Sequence, residues 1–476
     1  AVKLERNIQP LSDDYIKFIR FAHWKMEKVE RGVIGIITNN SFIDGLIHRG
    51  MRQELMKDFD EIYIFNLHGN SRIGEKCPDG TKDENVFDIM QGVCISFFIK
   101  KSSAENKQAK VFYQDLHGLR QVKYAELFGK TIKTVKWKKL KPDSNYHFFA
   151  LKDFSSNGNY LNCFKINEIF NLYTSGIKTH HDNELIAFKP FKTNNQLYNY
   201  RPFDIRFIEY DLKKVVRHRN SIMQNMLKDN LGLCITRQVN REPFHHSFIS
   251  DCLTDICFVS IRTKESAYIF SLYTYNENKI ENGNGNDYLF KEDGKRDNFT
   301  KDFRHYIKSK YLEHFSPNQI LGYIYAVLHS PTYRTKYIEF LKIDFPRIPF
   351  TEDENKFQEL SIIGEKLINA HLMKEIPAKI TCPLLGGSNN FKVESVNFDK
   401  GKVWFNNERY FDNVPEDVWN FYIGGYQVLE KWFKERKKHE ITLTPDDFSH
   451  FRAMVNVINF TIKTMGIINE LTKEWI

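Results

Sequence analysis

The sequence predicts an α/β N-terminal segment followed by a larger region of mixed α+β structure, and three observations carry this. Helical and strand periodicities alternate through the first hundred residues, short aromatic strand patterns follow, and capped amphipathic helices dominate toward the C-terminus.

Composition sets the outer limits. The 476 residues are 41% hydrophobic and include 40 Phe and 23 Tyr, enough for two to four domains with proper cores. Lys and Arg (69) exceed Asp and Glu (60), which is compatible with nucleic acid as a partner but makes the location of the charge decisive. The 7 cysteines are scattered without a CxxC, which fits neither a zinc site nor a disulfide scaffold and points to a reducing cytoplasm. No signal peptide opens the chain, and no apolar run reaches the roughly 18 residues a membrane helix needs. A chain that starts at Ala1 and runs directly into a helical pattern is expected to be part of a longer polypeptide, with partner segments upstream.

The first element is a helix: Asp13 and Asp14 place acids at its positive end, and Tyr15, Ile16, Phe18, Ile19, Ala22 and Met26 follow with a period near 3.6. Gly32 to Thr38 is a continuous, β-branched apolar run, the pattern of a buried parallel strand. A helix over 50–58 and strands over 61–66 and 92–99 complete what reads as the late portion of an open α/β sheet, whose ligands would sit beyond the carboxyl ends of its strands. The turn Thr38-Asn39-Asn40-Ser41-Phe42 occupies such an edge. It either presents polar groups and one ring to a substrate or ends the strand with residues suited to turns. Gly69 to Gly92 reads as a long loop at the same edge.

Beyond residue 101, Lys133, Lys136, Lys138, Lys139 and Lys141 surround Trp137 with no acid between them, and Lys213, Lys214, Arg217, His218 and Arg219 form a second basic cluster. Both are candidates for phosphate contact or for solvated surface. Arg201-Pro202-Phe203-Asp204 with Arg206 reads as a packed corner in which Pro202 fixes φ, Phe203 and Phe207 fill the core, and Asp204 pairs with an arginine.

Residues 276–298 have almost nothing apolar to bury and read as a polar loop or linker. After it, Ser316-Pro317-Asn318-Gln319 is a capping box that starts a helix running to about His329, and Thr444-Pro445-Asp446-Asp447 repeats the device. A helix over 355–372 and a hairpin turning at Asp399-Lys400-Gly401-Lys402 lie between them. Phe448, Phe451, Val455, Ile458, Ile462 and Met465 predict a last helix of about five turns with a core-facing aromatic stripe.

The chemistry is marked by what the sequence lacks. It contains no Pro-Pro pair, no glycine-rich turn after a strand and no GxxxxGK[ST] loop, and the GxG at Gly283 and Gly285 falls inside the polar segment. His180-His181 and His245-His246 lack companion ligands at metal spacing, so neither a catalytic residue nor a metal is assigned.

Against that background, Leu4 to Asn7 through Tyr15 to Ala22 resembles the stretch after the catalytic Asn-Pro-Pro-Tyr loop of adenine-N6 methyltransferases in Type ISP and Type IIG single-polypeptide restriction-modification enzymes. Gly32 to Phe42 resembles their next strand, and Asp83 to Ile89 with Gln91-Gly92-Val93 resembles the segment before their last sheet strand. The remainder resembles the Type ISP C-terminal specificity domain at Tyr200 to Arg206, Tyr325 to Arg334, Asp344 to Phe350 and Tyr422 to Trp432. The resemblance implies that residues 1–125 are the C-terminal part of a Rossmann-like methyltransferase sheet with a cut edge to expose or re-cover. It divides the target-recognition domain into a first lobe, 126–275, and a second, helix-rich lobe, 299–476, flanking the polar segment 276–298.

The same resemblance implies sequence-specific recognition of double-stranded DNA within an enzyme that methylates adenine N6 and cleaves DNA, using S-adenosylmethionine. The cofactor turn and catalytic loop are expected upstream of Ala1, with translocase and nuclease segments, so this chain alone is expected to bind no cofactor and to be inactive. Asn39, Asn40, Ser41 and Phe42 would line the edge of the adenine pocket, and Lys133, Lys136, Lys138, Lys139, Lys213, Lys214, Arg217 and Arg219 would contact phosphates. Arg237, Gln238, Asn240 and Arg241 carry the side chains that read guanine and adenine in the major groove. Two other readings remain: a complete methyltransferase with a divergent cofactor site, and a non-enzymatic scaffold or RNA-binding module.

Overall fold

The computed structural model describes residues 8–101, 108–152, 160–239, 243–262, 265–275, 294–312, 314–376 and 380–476. It divides into two compact units, Ala1–Asp153 and Phe154–Ile476, and its architecture is mixed α/β with several separate sheets.

In the first unit, helix α1 (Asp14–Met26) is followed by β1 (Gly32–Asn39), α2 (Arg49–Asp58), β2 (Glu61–His68), β3 (Val93–Lys100), β4 (Lys110–Asp115), α3 (Arg120–Phe128) and β5 (Lys138–Leu140). The strands form one sheet in the order β1-β3-β2-β4-β5. Because β3 is antiparallel to both β1 and β2, those two run parallel to each other, joined by a crossover that contains α2; β4 continues the parallel set.

Two sequence expectations are corrected here. The run at 32–38 is an edge strand rather than a buried parallel one, and among the described residues it pairs only with β3, antiparallel. Its side chains alternate, leaving Val33 62% and Ile37 50% exposed. A continuous apolar run satisfies a two-sided burial pattern, and nothing in the composition of the strand reveals that the face carrying Val33 and Ile37 is uncovered. In α1 the buried face is Ile16, Ile19, His23 and Met26, while Phe18 points outward at 63% exposure. The carboxylate of Asp58 on His23 makes a polar residue acceptable on the inner face.

In the second unit, β7 (Ile186–Ala187), β8 (Asn195–Arg201), β9 (Asp204–Glu209) and β12 (Leu253–Thr254) form a four-stranded sheet in the order β12-β8-β9-β7. A second sheet is made of β6 (Thr174–Ser175), β10 (Gly232–Thr236), β11 (Ser247–Ser250) and β13 (Ala267–Ser271), in the order β11-β10-β13-β6. Of the polar segment, residues 276–293 lie outside the described residues; β15 (Lys295–Asp297) pairs antiparallel with β14 (Tyr273–Tyr275).

The helices start where their caps predict. Helix α4 (Pro317–His329) and helix α7 (Pro445–Thr472) each carry a complete capping box, at Ser316/Gln319 and Thr444/Asp447. Helix α7 is 28 residues long, nearly three turns beyond the expected five, because its C-terminal half is amphipathic around Thr464, Ile468 and Thr472 rather than around large rings. Helix α5 (Glu354–His371) packs on α4 through Gly322 and Gly364; a Cβ on Gly364 would stand 1.8 Å from the Gly322 oxygen, so only glycine permits this approach. The hairpin of β17 (Asn397–Asp399) and β18 (Lys402–Trp404) turns at Lys400 and Gly401, both at positive φ. It belongs to a four-stranded sheet with β16 (Leu384–Gly386) and β19 (Arg409–Phe411) that rests on α7 and α6 (Val428–Lys438).

Residues from both sides of the polar segment share cores in this unit. One joins Tyr198, Phe203 and Phe248 to Phe411, Trp432 and Phe451; another joins Ile235 and Phe270 to Phe303, Ile324 and Phe357. The aromatic stripe of α7 lies in the core, as its spacing predicts.

Candidate functional site

The carboxyl ends of β1, β2 and β4 lie on one side of the first sheet, where an open α/β sheet presents its ligand site. Polar side chains occupy all three ends. Asn39 Oδ1 accepts from the Ser41 amide at 2.8 Å and hydroxyl at 2.7 Å, which starts a one-turn helix, Ser41–Asp44. Asn40 donates to Asn66 Oδ1 at 2.9 Å. Ser41 is exposed and Asn39 and Asn40 are half-buried, whereas Phe42 is wholly buried and faces the core rather than the edge.

That turn is held by Arg52 of α2. Its guanidinium is fully buried with no carboxylate partner among the described residues and donates instead to four carbonyls: Phe42 at 2.6 Å, Gly45 at 2.8 Å, Tyr146 at 2.7 Å and His147 at 2.9 Å. Burial, the largest influence, lowers it to about 10 against the opposing pull of the Asp44 and Asp143 charges, so it stays charged at neutral pH.

At the end of β2, His68 adopts φ 52°, a left-handed conformation at a register shift in the ladder with β3. Its Nδ1 meets Glu75 at 2.8 Å and its Nε2 meets Asp115 at 2.7 Å. Burial opposes charge on the ring, but the bonds from Asp115 and Glu75 outweigh it and raise the group to about 9. Tyr113 donates to Asp115, Asn66 donates to Tyr113 at 3.1 Å, and the His117 ring stacks on His68 at 3.9 Å. Burial and the neighbouring His68 charge push His117 down.

A second anchor holds the other half of the loop between β2 and β3. Lys123 and Asp83 form an ion pair at 2.8 Å with both side chains fully buried. Lys123 also donates to the Leu67 and Glu84 carbonyls, and Asp83 accepts from the Gly69 and Gly118 amides. Gly69, at φ 82°, lies so close to Asn85 that a Cβ would stand 2.4 Å from the Asn85 Cα. The loop therefore carries Phe87, Ile89 and Met90 exposed on a rigid base.

No local pattern in the sequence marks His68, Glu75, Asp115 or Lys123. His68 meets Asp115 because β2 and β4 are parallel neighbours, and parallel pairing has no short-range sequence signal; Glu75 reaches His68 from the loop after β2, and Lys123 reaches Asp83 from α3. Of these, His68 and Asp115 stand at strand ends, the one clue that the sequence offers.

The basic candidates fall in different surroundings. Lys133, Lys136, Lys138 and Lys139 are exposed, and Trp137 between them packs edge-on against Tyr63 and Phe65. In the second unit Lys213 and Arg217 are exposed, Lys214 pairs with Glu209 at 2.7 Å, and Arg219 is half-buried at φ 56°. A backbone bridge between Lys178 and Arg217 sets this cluster beside His180 and His181.

Arg237 Nε donates to Asp344 at 2.9 Å and Gln238 donates to the Ile343 carbonyl at 2.8 Å; Asn240 and Arg241 lie outside the described residues.

The Arg201 to Arg206 corner is a buried charge network. Asp204 Oδ2 takes Arg206 at 2.8 Å, Asp204 Oδ1 takes Arg436 at 3.3 Å, and Arg206 also meets Glu435 at 2.9 Å. The expected Asp–Arg pairing is therefore shared between two arginines, one from α6.

Fold and site define a multi-sheet α/β protein with polar strand ends in its first unit and exposed basic clusters in both. Residues 189–466, more than half of the chain, match the Type ISP C-terminal specificity domain, and the chain belongs to that family. It corresponds to the C-terminal specificity region of Type ISP-like single-polypeptide restriction-modification enzymes.

Three solved structures share the fold. The ATP-dependent Type ISP restriction-modification enzyme LlaBIII bound to DNA aligns at TM-score 0.76 and 23% identity, covering 98% of this chain and 35% of that one. A nuclease-deletion mutant of the Type ISP enzyme LlaGI with a DNA substrate mimic aligns at 0.72 and 21%, covering 98% and 41%. The DrdV–DNA complex aligns at 0.75 and 19%, covering 97% and 52%. The chain thus spans between about a third and about half of those relatives. No curated relative matches the sequence. Among the described residues no helix is long and apolar enough to cross a membrane.

Proposed function

We propose that this chain reads a short sequence in double-stranded DNA as the recognition part of a single-polypeptide restriction-modification enzyme that methylates adenine N6 with S-adenosylmethionine and cleaves DNA. The observation that carries the reading is the family match over 189–466 together with a fold shared, over nearly the whole chain, with three proteins solved on DNA.

In this reading residues 1–125 are the end of a methyltransferase sheet. The parallel strands β1 and β2, joined by a helical crossover, support it, as does the backbone edge of β1, which has no partner strand among the described residues. Asn39, Asn40 and Ser41 line the adenine-pocket edge, and buried Phe42 holds their turn in place. Residues 126–275 and 299–476 are assigned to one recognition domain around the segment 276–298, with the stretch up to Asp153 packed in the first unit, where β5 completes the sheet, and the two remaining stretches sharing cores in the second.

Lys133, Lys136, Lys138, Lys139, Lys213, Lys214, Arg217 and Arg219 contact phosphates, which position the protein without reading sequence. Arg237, Gln238, Asn240 and Arg241 read bases; for the first two, reading requires release from Asp344 and Ile343.

Competition at matched salt tests the class of ligand, because backbone binding depends steeply on ionic strength. Duplex DNA is expected to displace a labelled duplex more effectively than structured RNA of equal length; the reverse order refutes the proposal.

A further inference from the structure

His68 combines three features that β2 as a strand does not require: a left-handed backbone, a ring gripped at both nitrogens by carboxylates, and a stacked second imidazole. Its partners come from different elements. Glu75 belongs to the loop after β2, and its other oxygen accepts from the Asn70 amide at 2.8 Å. Asp115 ends β4. Asn66 Oδ1 accepts from the His68 backbone amide at 3.3 Å and from Asn40 of the β1 edge at 2.9 Å.

We propose that His68 is a positioning residue: its ring, clamped between Glu75 and Asp115, latches the 70–77 half of the loop onto the ends of β2 and β4 and, through Asn66, fixes Asn40 at the proposed DNA edge. The last step rests on the proposed function. The latch itself does not.

Both clamping groups are acceptors when ionised, so the ring holds both only when both its nitrogens carry protons. The titratable groups facing it are Glu75 from the loop, Asp115 and Tyr113 from β4, and His117 beyond it, with Asp83 behind His117 but paired to Lys123. A raised histidine contributes stability that is complete below its ordinary pKa of about 6.5 and is lost as pH rises through about 9. The latch is therefore closed at neutral pH and opens in alkali. The 83–91 half is held separately by Lys123 and Asp83 and supplies an internal control.

The experiment is hydrogen exchange of the full chain between pH 7 and pH 9.5, corrected for intrinsic rates. Protection of amides in 70–77 is expected to fall at least tenfold across that range while amides in 83–91 keep theirs. His68→Gln is expected to show low, pH-independent protection in 70–77 only. Glu75→Gln, which leaves one carboxylate on the ring, is expected to move the midpoint down by at least one pH unit. A flat wild-type profile overturns the latch, as does a midpoint unmoved in Glu75→Gln or a loss shared equally by both halves. Duplex affinity measured alongside separates the two claims. A wild type that binds no duplex but shows the pH response removes the DNA reading and leaves the latch; a wild type that binds duplex with a flat exchange profile does the opposite.

Discussion

Replacing Asp204 by Ala is expected to be one of the most damaging single changes in the second unit. The carboxylate is 2% exposed and is shared by Arg206 at 2.8 Å and Arg436 at 3.3 Å, with both guanidinium groups buried. Arg206 lies over the ring of Tyr200 at 3.8 Å and Arg436 over Trp432 at 3.5 Å, so neither can turn to water without dismantling the aromatic packing. Arg206 keeps Glu435 at 2.9 Å, while Arg436 retains the Trp432 carbonyl at 3.2 Å and Asp447 at 3.5 Å.

Stranding a buried charge costs about 3–5 kcal/mol; because each arginine keeps one carboxylate here, that range is the upper bound, still a large part of the 5–15 kcal/mol that stabilises a typical domain. At roughly 2 °C per kcal/mol for a unit of this size, the melting point should fall by up to about 6–10 °C. Thermal and urea unfolding followed by circular dichroism measure this. Arg436→Met added to Asp204→Ala should recover part of the loss, with a coupling of about 0.5–3 kcal/mol. A cost below about 1 kcal/mol, the worth of an exposed pair, would show that the network carries no such load and refute the reasoning.

Other perturbations test separate parts of the account. Acid should loosen the same network: Glu435 is held at about 2, since Lys431 and Arg206 outweigh the effect of burial, so its contribution of up to about 3 kcal/mol is present above pH 4.5 and lost as pH falls toward 2, measurable as a falling urea midpoint. Arg52→Met strands four carbonyls and is expected to cost at least about 3 kcal/mol in urea unfolding, with Arg52→Lys intermediate because an ammonium has three donors. Gly364→Ala should cost more than about 2 kcal/mol by forcing α4 and α5 apart, which a melting curve would report. Converting Lys136 and Lys138 to Gln should reduce the slope of log affinity against log salt by about 0.9 for each phosphate that these lysines neutralise; an unchanged slope assigns them to solvent.

What the sequence made legible follows from how local each signal is. The capping boxes at Ser316 and Thr444 are four-residue devices, and both helices begin where they stand. The corner at Pro202 was readable as structure because proline, an aromatic and an Asp–Arg pair lie within six residues. The edge position of β1 was not readable: whether a strand has a neighbour is decided by residues far from it, and Val33 and Ile37 look the same buried or exposed. Of the candidate site, the turn at 39–42 was visible because Asn and Ser cluster at a strand end. His68 and Asp115 were not, because pairing of β2 with β4 brings together residues about fifty positions apart, and neither was Lys123, which reaches the Leu67 carbonyl from α3 over a similar separation. Family resemblance located the recognition region without identifying these side chains, since resemblance marks segments and not the partners each side chain meets.

Selection from a randomised duplex pool by the full chain, at fixed salt and against excess competitor DNA, tests the central claim most directly. Enrichment of one short sequence over successive rounds, bound at least tenfold more tightly than single-base variants of it, is the predicted result. Uniform recovery with no enriched sequence would contradict sequence-specific recognition by this chain.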